Sequence, residues 1–564
     1  MIALSTQAET VAKKRYYLKD MSGDPRETAD NLMKRVSKAI SSVEIKYGKS
    51  GVDVQLTERD FFNMLSRLDF VPNSPTLMNA GTEQGTLSAC FVLPLKDSME
   101  GIMKTAHDVA MVQKFGGGTG FALSELRPKG DKIKTTHGVA CGPIQVLQTL
   151  SRVSSMITQG GKRDGANMAI MDVQHPDILE FIDCKSVEGD IHNFNISVAV
   201  NSRFMKAVEA GLDYPLINPK DNSITEYLNA QEVFNKIVYG AWRNGEPGMI
   251  FIDNVNKDNH VIEEYGEMTA TNPCGEQPLL PNESCNLGSI NLANFVDTEE
   301  VPKIKWEELG DTVKLATRFL DNVVDANKYA TQEIEEMTKA TRKIGLGIMG
   351  FADLLIQLRI PYNSEEGTKI GGKIMKFIRK ISDKTSLKLA KERGEFPAWE
   401  KSDYTEDEKY RNACRLTVAP TGTISMFADT SSGIEPLFSL AYRKMNILEG
   451  QTLFYVNKYF EKDAKEYNFY SKDLMEHLSN GGLLSDRPEV PQWIKELYVT
   501  SPEISPESHV GMQAAFQEYC DSGISKTINF SNDASIEDVY SAYIGAWKLG
   551  CKGITVYRAG SREK

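Results

Sequence analysis

Met168-Ala-Ile-Met-Asp-Val173 is a short apolar run that passes directly into Gln174-His-Pro-Asp177. Six residues with so little polarity suit a strand buried on both faces. Pro176, with φ already near the helical value, suits a first helical turn, so the spacing predicts a helix opening at His175-Pro176-Asp177. The same punctuation recurs outward along the chain. Strands are predicted at 196–200, 249–252, 415–418, 526–530 and 553–557, with long amphipathic helices at 306–329 and 370–393 between them. Strands alternating with helices imply parallel pairing and an α/β fold. Upstream, Leu32, Val36, Ile40 and Val43 recur at helical spacing and a second helix is predicted over 58–68. Asn73-Ser-Pro75 breaks that pattern and marks entry to the main domain. The expected division is a helical region over 1–70 and a large α/β unit over 71–564. Charge-rich stretches at 360–412 and 440–510 read as surface helices and insertions, and nothing repeats at solenoid spacing.

The bulk properties narrow the partners. Among 564 residues, 77 acidic against 65 basic side chains leave a net charge of −12. That balance argues against a nucleic-acid polymer, whose binding rests on neutralising many phosphates, but leaves room for a small anion. No apolar run approaches the ~20 residues that cross a bilayer. The N-terminus has no charged segment followed by an apolar one, so no membrane and no secretion are expected, and the cytoplasm is the expected compartment. Eight cysteines include no C-x-x-C and seven histidines are scattered, so no metal site is expected. In a reducing compartment, paired thiols are more often redox-active than structural.

Cys274 lies in Thr271-Asn-Pro-Cys-Gly-Glu276, where a thiol, an amide and a carboxylate crowd onto a backbone that Pro273 and Gly275 keep out of a helix. Cys285 follows in Ser284-Cys-Asn-Leu-Gly288. A lone cysteine usually packs as a small hydrophobe; this company points to a ligand instead. Three further loops fit the same picture. Phe115-Gly-Gly-Gly-Thr-Gly120 allows close backbone approach or is an ordinary flexible loop. Ala419-Pro-Thr-Gly-Thr-Ile-Ser425 offers hydroxyls and amides to an anion or is a helix cap. Gln159-Gly-Gly-Lys-Arg-Asp-Gly-Ala-Asn167 suits a mobile loop reading a nucleotide or a solvated basic turn.

Taken in order, these stretches resemble the catalytic subunit of ribonucleotide reductase, and within it the adenosylcobalamin-dependent group. The resemblance also runs through Asn73-Ser-Pro-Thr-Leu-Met-Asn-Ala-Gly81, Leu87-Ser-Ala-Cys90, Ile344-Gly-Leu-Gly-Ile-Met-Gly-Phe351 and Gly550-Cys-Lys-Gly-Ile-Thr-Val-Tyr-Arg558. It implies a ten-stranded α/β barrel with the Cys274 loop at its centre. It implies a thiyl radical on Cys274 that abstracts the 3′ hydrogen of a ribonucleotide, with Glu276 as general base and Asn272 orienting the ribose hydroxyls. Cys90 and Cys285 match the pair that supplies two electrons and becomes a disulfide. Thr76, Ala89, Gly118 and the loop Pro420, Thr421, Gly422, Thr423, Ile424, Ser425 match positions that hold sugar and phosphates. Asp97 and Arg127 match a site for a deoxynucleotide effector at a homodimer interface, and Lys162, Arg163 and Asp164 match the loop that relays effector identity.

The resemblance also bears on the radical source. The oxygen-dependent class passes its radical through two adjacent tyrosines, where this chain has Val556-Tyr557. The anaerobic class needs a C-terminal glycyl-radical motif, which is not present. Adenosylcobalamin is therefore the implied cofactor, with the large subunit of an oxygen-dependent reductase as the alternative. No room is expected for an ATP-binding cone, and the missing cysteine tail of relatives leaves three readings open: a truncated fragment, a second polypeptide that supplies the tail, or an external reductant, a thioredoxin-like protein or small dithiol, that reaches Cys90 and Cys285 directly. A thiol-disulfide oxidoreductase would call for C-x-x-C, and a nucleotide sensor without chemistry would have no need of Cys274 or Glu276.

Overall fold

The structure is a computed structural model that describes residues 2–157, 166–187, 189, 191–445 and 452–562. Its core is a ten-stranded sheet, nine of whose strands curl with the extended segment 416–418 into a barrel of two parallel halves. One half runs Cys90–Val92, Gly118–Ala122, Asn167–Asp172, Phe194–Val200, Gly248–Phe251, each strand parallel to the next. The other runs Gly553–Arg558, Thr527–Phe530, the extended segment 416–418, Ile344–Met349 and Ser284–Asn291, again parallel at every step. The halves meet at two antiparallel seams, Ser284–Asn291 on Cys90–Val92 and Gly553–Arg558 on Gly248–Phe251. Strand Phe70–Pro72 adds to Ser284–Asn291 outside the ring.

The expected α/β barrel is therefore present, with local departures that have identifiable causes. The run at 415–418 makes isolated bridges rather than a full strand. The main-chain amides of Arg415 and Leu416 donate instead to the Asp521 carboxylate, at 2.9 and 2.7 Å. The helix after Val173 starts at Ile178, later than predicted. His175 turns inward, bonding the Leu126 carbonyl through Nε2 at 2.7 Å and accepting the Asp177 amide on Nδ1 at 3.0 Å. The segment expected as a surface helix, Glu365–Arg393, buries Ile374, Met375 and Ile378 against the core. Residues after 440 form a hairpin and helices around their own cluster of Phe460, Leu474, Ile494 and Tyr498.

Helices Thr6–Arg15, Ala29–Ser41 and Gly51–Ser66 precede the barrel. The last begins ahead of the predicted 58 because Ser50 and Asp53 form a capping box. Glu44, fully buried, fastens this region to the barrel helices by accepting from Arg318 Nε at 2.6 Å and Arg393 Nη2 at 2.9 Å. The Arg393 guanidinium also lies 4.3 Å from the Tyr47 ring centroid. Among the described residues, no helix is long and apolar enough to cross a membrane.

Candidate active site

The Cys274 segment is the tip of a two-stranded hairpin, Ala270–Thr271 against Pro278–Leu279. Gly275 at φ +81° makes the reversal, and its amide donates to the Asn272 carbonyl at 3.1 Å. The hairpin is held on all sides. Asn195 Nδ2 donates to the Pro273 carbonyl at 2.8 Å, Thr417 Oγ1 to the Glu276 carbonyl at 2.8 Å, and the Gly523 amide to the same carbonyl at 2.8 Å. Bare backbone lets it pass. A Cβ on Gly120 would stand 1.7 Å from the Thr271 carbonyl oxygen, on Gly118 2.8 Å from Pro273 Cγ, and on Gly523 2.5 Å from the Gly275 oxygen. Gly118 and Gly120 are thus a close-approach surface, while Gly116 has open space around it.

The hairpin sets its side chains against the seam between the barrel halves. Cys90 and Cys285 are direct partners across that seam. Directly opposed antiparallel residues have Cα atoms about 4.5–5.5 Å apart, inside the ~4.4–6.8 Å span of a disulfide. Both are buried thiols here, while Cys274 is exposed. Asn272 Nδ2 donates to Cys90 Sγ at 3.1 Å, and the Cys90 thiol faces Glu276 Oε1 at 3.8 Å. Burial first, then the charges of Glu276, Cys285 and Cys274, push the Cys90 thiol well above its ordinary range. Burial and Glu283 do the same for Cys285. Both are therefore held as thiols, ready to give protons as well as electrons.

Glu276 is buried and its Oε2 has no hydrogen-bond partner. Burial raises its pKa to about 7, against weaker pulls from Asn272 and the backbone. A carboxyl with one oxygen unmet and a pKa near neutrality can accept a hydroxyl proton and return it. Cys274 lines a cavity of ≈210 Å³ together with Asn195, Ser197, Lys526 and Thr555. A neighbouring cavity of ≈640 Å³, lined by Pro420, Glu435 and Tyr557, shares the walls Ser525, Thr527, Thr555 and Arg562 with it.

The remaining predicted residues fall into three groups. Thr76 is buried, its Oγ1 donating to the Leu87 carbonyl at 2.9 Å, and Ala89 bonds Cys285 and Gly118 through its backbone, beside the thiol pair. Thr421 opens the short helix Gly422–Phe427 and its hydroxyl accepts the Gly433 amide at 2.8 Å; Ile424 and Ser425 are buried, while Gly422 is open to solvent and Thr423 half so. Phe427 of that helix meets Tyr16 edge-on at 5.4 Å, and Tyr16 OH bonds Ser74 Oγ at 3.0 Å, so Tyr16, at the end of the first helix, ties Ser74 to the helix Gly422–Phe427. Asp97 and Arg127 pair with each other at 2.8 Å. Lys162, Arg163 and Asp164 lie outside the described residues.

Some partners had no sequence signature. Asn195, Thr417 and Gly523 are single residues whose spacing to Cys274 carries no pattern. Lys526 is buried, donating to Glu435 Oε2 at 2.9 Å and meeting His509 Nδ1 at 2.9 Å, and burial, then Lys526, holds His509 neutral with a pKa of about 3. Only the strand alternation around Lys526-Thr-Ile-Asn-Phe530 hinted that this lysine could point inward.

Similarity to known proteins agrees with this geometry. The ribonucleotide reductase barrel-domain model matches residues 88–410 and 406–557, and the ribonucleotide reductase all-alpha-domain model matches residues 2–85. The chain belongs to the ribonucleotide reductase family. A vitamin B12-dependent ribonucleoside-diphosphate reductase of Thermoplasma acidophilum is 45% identical, covering 100% of this chain and 80% of that protein. One of Mycobacterium tuberculosis is 42% identical with the same coverage. Among solved structures, the Actinobacillus ureae class Id ribonucleotide reductase alpha subunit superposes with a TM-score of 0.81 at 25% identity, covering 99% of this chain and 97% of that one. As a reductase barrel, the ring carries its hairpin where the resemblance implied.

Proposed function

We propose that this chain is an adenosylcobalamin-dependent ribonucleotide reductase that converts ribonucleotides to 2′-deoxyribonucleotides for DNA synthesis, with diphosphates as its substrates. The carrying observation is the thiol pair Cys90–Cys285, opposite each other across the seam, with Cys90 directly against Asn272 and Glu276 of the Cys274 hairpin. Cys274 takes the 3′ hydrogen atom of the ribose, and Glu276 Oε2 takes the 3′-hydroxyl proton. Cys90, the thiol nearest Glu276, protonates the leaving 2′-hydroxyl, which departs as water. Two electrons from Cys90 and Cys285 complete the reduction and leave a disulfide between them; the hydrogen atom then returns from Cys274 to C3′.

The Cys274 cavity adjoins the larger one along Ser525, Thr527 and Thr555, so hydroxyl groups line a path by which the reactive end of a cofactor reaches the thiol. Ser197, Thr527 and Thr555 would hold adenosylcobalamin there. When bound, it supplies radical chemistry able to take a hydrogen atom from a thiol. Val556 precedes Tyr557 on the wall of the larger cavity, so the paired tyrosines of the oxygen-dependent class have no counterpart.

In the same proposal, helices over 1–70 brace a barrel over 71–564, and Thr76, Ala89, Gly118 and 420–425 hold the nucleotide. Asp97 and Arg127 bind a deoxynucleotide effector, with 162–164 relaying its identity. Exposed Met99, Met103 and Met156 on the neighbouring helices support a homodimer face. A thioredoxin-like protein or small dithiol in the cytoplasm renews the pair. The test is deoxynucleotide formation with a small dithiol, with and without adenosylcobalamin, on the chain and on Cys274→Ser. Activity in both the presence and the absence of the cofactor, or 3′-hydrogen exchange by Cys274→Ser, would overturn the reading.

A further inference from the structure

Arg562 stands where three cavities meet. It lines the ≈210 Å³ cavity at Cys274, the ≈640 Å³ cavity at Pro420, and a third of ≈310 Å³. Its Nε donates at 2.7 Å to the Asn244 carbonyl, at the C-terminus of helix Ala230–Asn244. Gly245, at φ +82°, leaves room for the guanidinium: a Cβ there would stand 2.9 Å from Nη2. One of five N–H groups is thus used to anchor the side chain, and among the described residues no carboxylate pairs with the others.

The third cavity repeats the imbalance. Arg243 lines it with Nε buried and without a partner, and so does Ser561 through its Oγ. The charge of Lys185 there is already met by Glu246 at 2.5 Å. Arg562 is itself exposed, so its outward donors are open to a ligand, and a phosphate, which takes two parallel N–H bonds, suits a guanidinium fork better than any neutral group. Complementing the helix C-terminus would be a sufficient role for the Nε of Arg562; its other donors stay open at the cavity junction.

We infer that Arg562, with Arg243 and Ser561, forms a phosphate-binding subsite at the junction of these cavities. The inference rests on the reductase reading, which brings two phosphates to this place: the diphosphate of the substrate and the phosphodiester in the tail of adenosylcobalamin. Full-length protein and its Arg562→Gln and Arg562→Lys variants are compared by equilibrium dialysis with four probes. These are a ribonucleoside diphosphate, the matching ribonucleoside, adenosylcobalamin, and adenosylcobinamide, which lacks the phosphodiester.

Arg562→Gln should weaken one phosphate-bearing probe by roughly tenfold or more, the scale of a lost charge-assisted pair, and leave its phosphate-free counterpart unchanged. Loss on the nucleotide assigns the diphosphate; loss on the cobalamin assigns the tail. Arg562→Lys, which keeps the helix-end charge, should recover only part of the affinity, and Arg243→Gln should weaken the same probe. Equal weakening of a probe and its phosphate-free counterpart, or no change in either pair, overturns the inference. If the parent protein binds neither a nucleotide nor adenosylcobalamin, the reductase reading itself falls.

Discussion

Replacing Glu276 by Gln should stabilise the protein at pH 8 while stopping turnover. Burial holds the Glu276 carboxyl protonated up to about pH 7, whereas an exposed glutamate ionises near 4.5. Between those values the native state keeps a proton that the unfolded chain has lost. With a native pKa raised above the unfolded one, the stabilising contribution is complete below pH 4.5 and is lost as pH rises through about 7. At 1.36 kcal/mol per pH unit, that interval corresponds to roughly 3 kcal/mol of stability given up by pH 8. The amide introduced by Glu276→Gln cannot ionise, so the variant escapes this loss. Urea unfolding followed by tryptophan fluorescence should place variant and parent within about 1 kcal/mol at pH 5 and separate them by roughly 2–3 kcal/mol at pH 8. An equal difference at both pH values would refute the buried, proton-retaining carboxyl. In the active enzyme the same group should make kcat/KM rise with pH through about 7.

Gly120→Ala should leave the barrel folded, by circular dichroism, yet lower turnover roughly 100-fold or more, because the hairpin must move to escape a 1.7 Å contact. Cys285→Ser should still exchange the 3′ hydrogen of a bound nucleotide but form no deoxynucleotide with a small dithiol, whereas retained product formation would remove Cys285 from the redox pair. Glu44→Gln removes the carboxylate that Arg318 and Arg393 share, while Arg318 keeps Glu392 and Arg393 keeps Asp321, and should cost about 1.5–3 kcal/mol in urea unfolding. Burial pushes the Glu44 carboxyl up, but Arg318 and Arg393 outweigh it and hold the pKa at about 2. Its contribution is therefore present above pH 4.5 and lost as pH falls toward 2, so the parent should show a steeper acid-unfolding limb than Glu44→Gln.

The chain order alone carried the fold class and the chemical core. Short apolar runs alternating with amphipathic helices could only be a mostly parallel α/β sheet, and Asn272, Cys274 and Glu276 lie within five residues, so their convergence is local. The capping box at Ser50 was equally local but fell ahead of the apolar spacing used to place that helix. The run at 415–418 takes its predicted place in the barrel through isolated bridges only, because Asp521, a carboxylate distant in sequence, takes the amides of Arg415 and Leu416.

Tertiary structure decided everything that depends on register across the barrel. That Cys90 faces Cys285 follows from the antiparallel seam, since a shift of one residue would turn either thiol to the other face of the sheet. That Gly118 and Gly120 serve close approach follows from the hairpin, which passes 1.7 Å from the place of the missing Cβ of Gly120. That Glu276 retains its proton near neutrality follows from burial, and that Arg562 reaches the same cavities follows from its anchorage on a helix end far away in the chain. Covalent spacing determines which groups are neighbours along a hairpin; packing determines which of them meet water, a charge or one another.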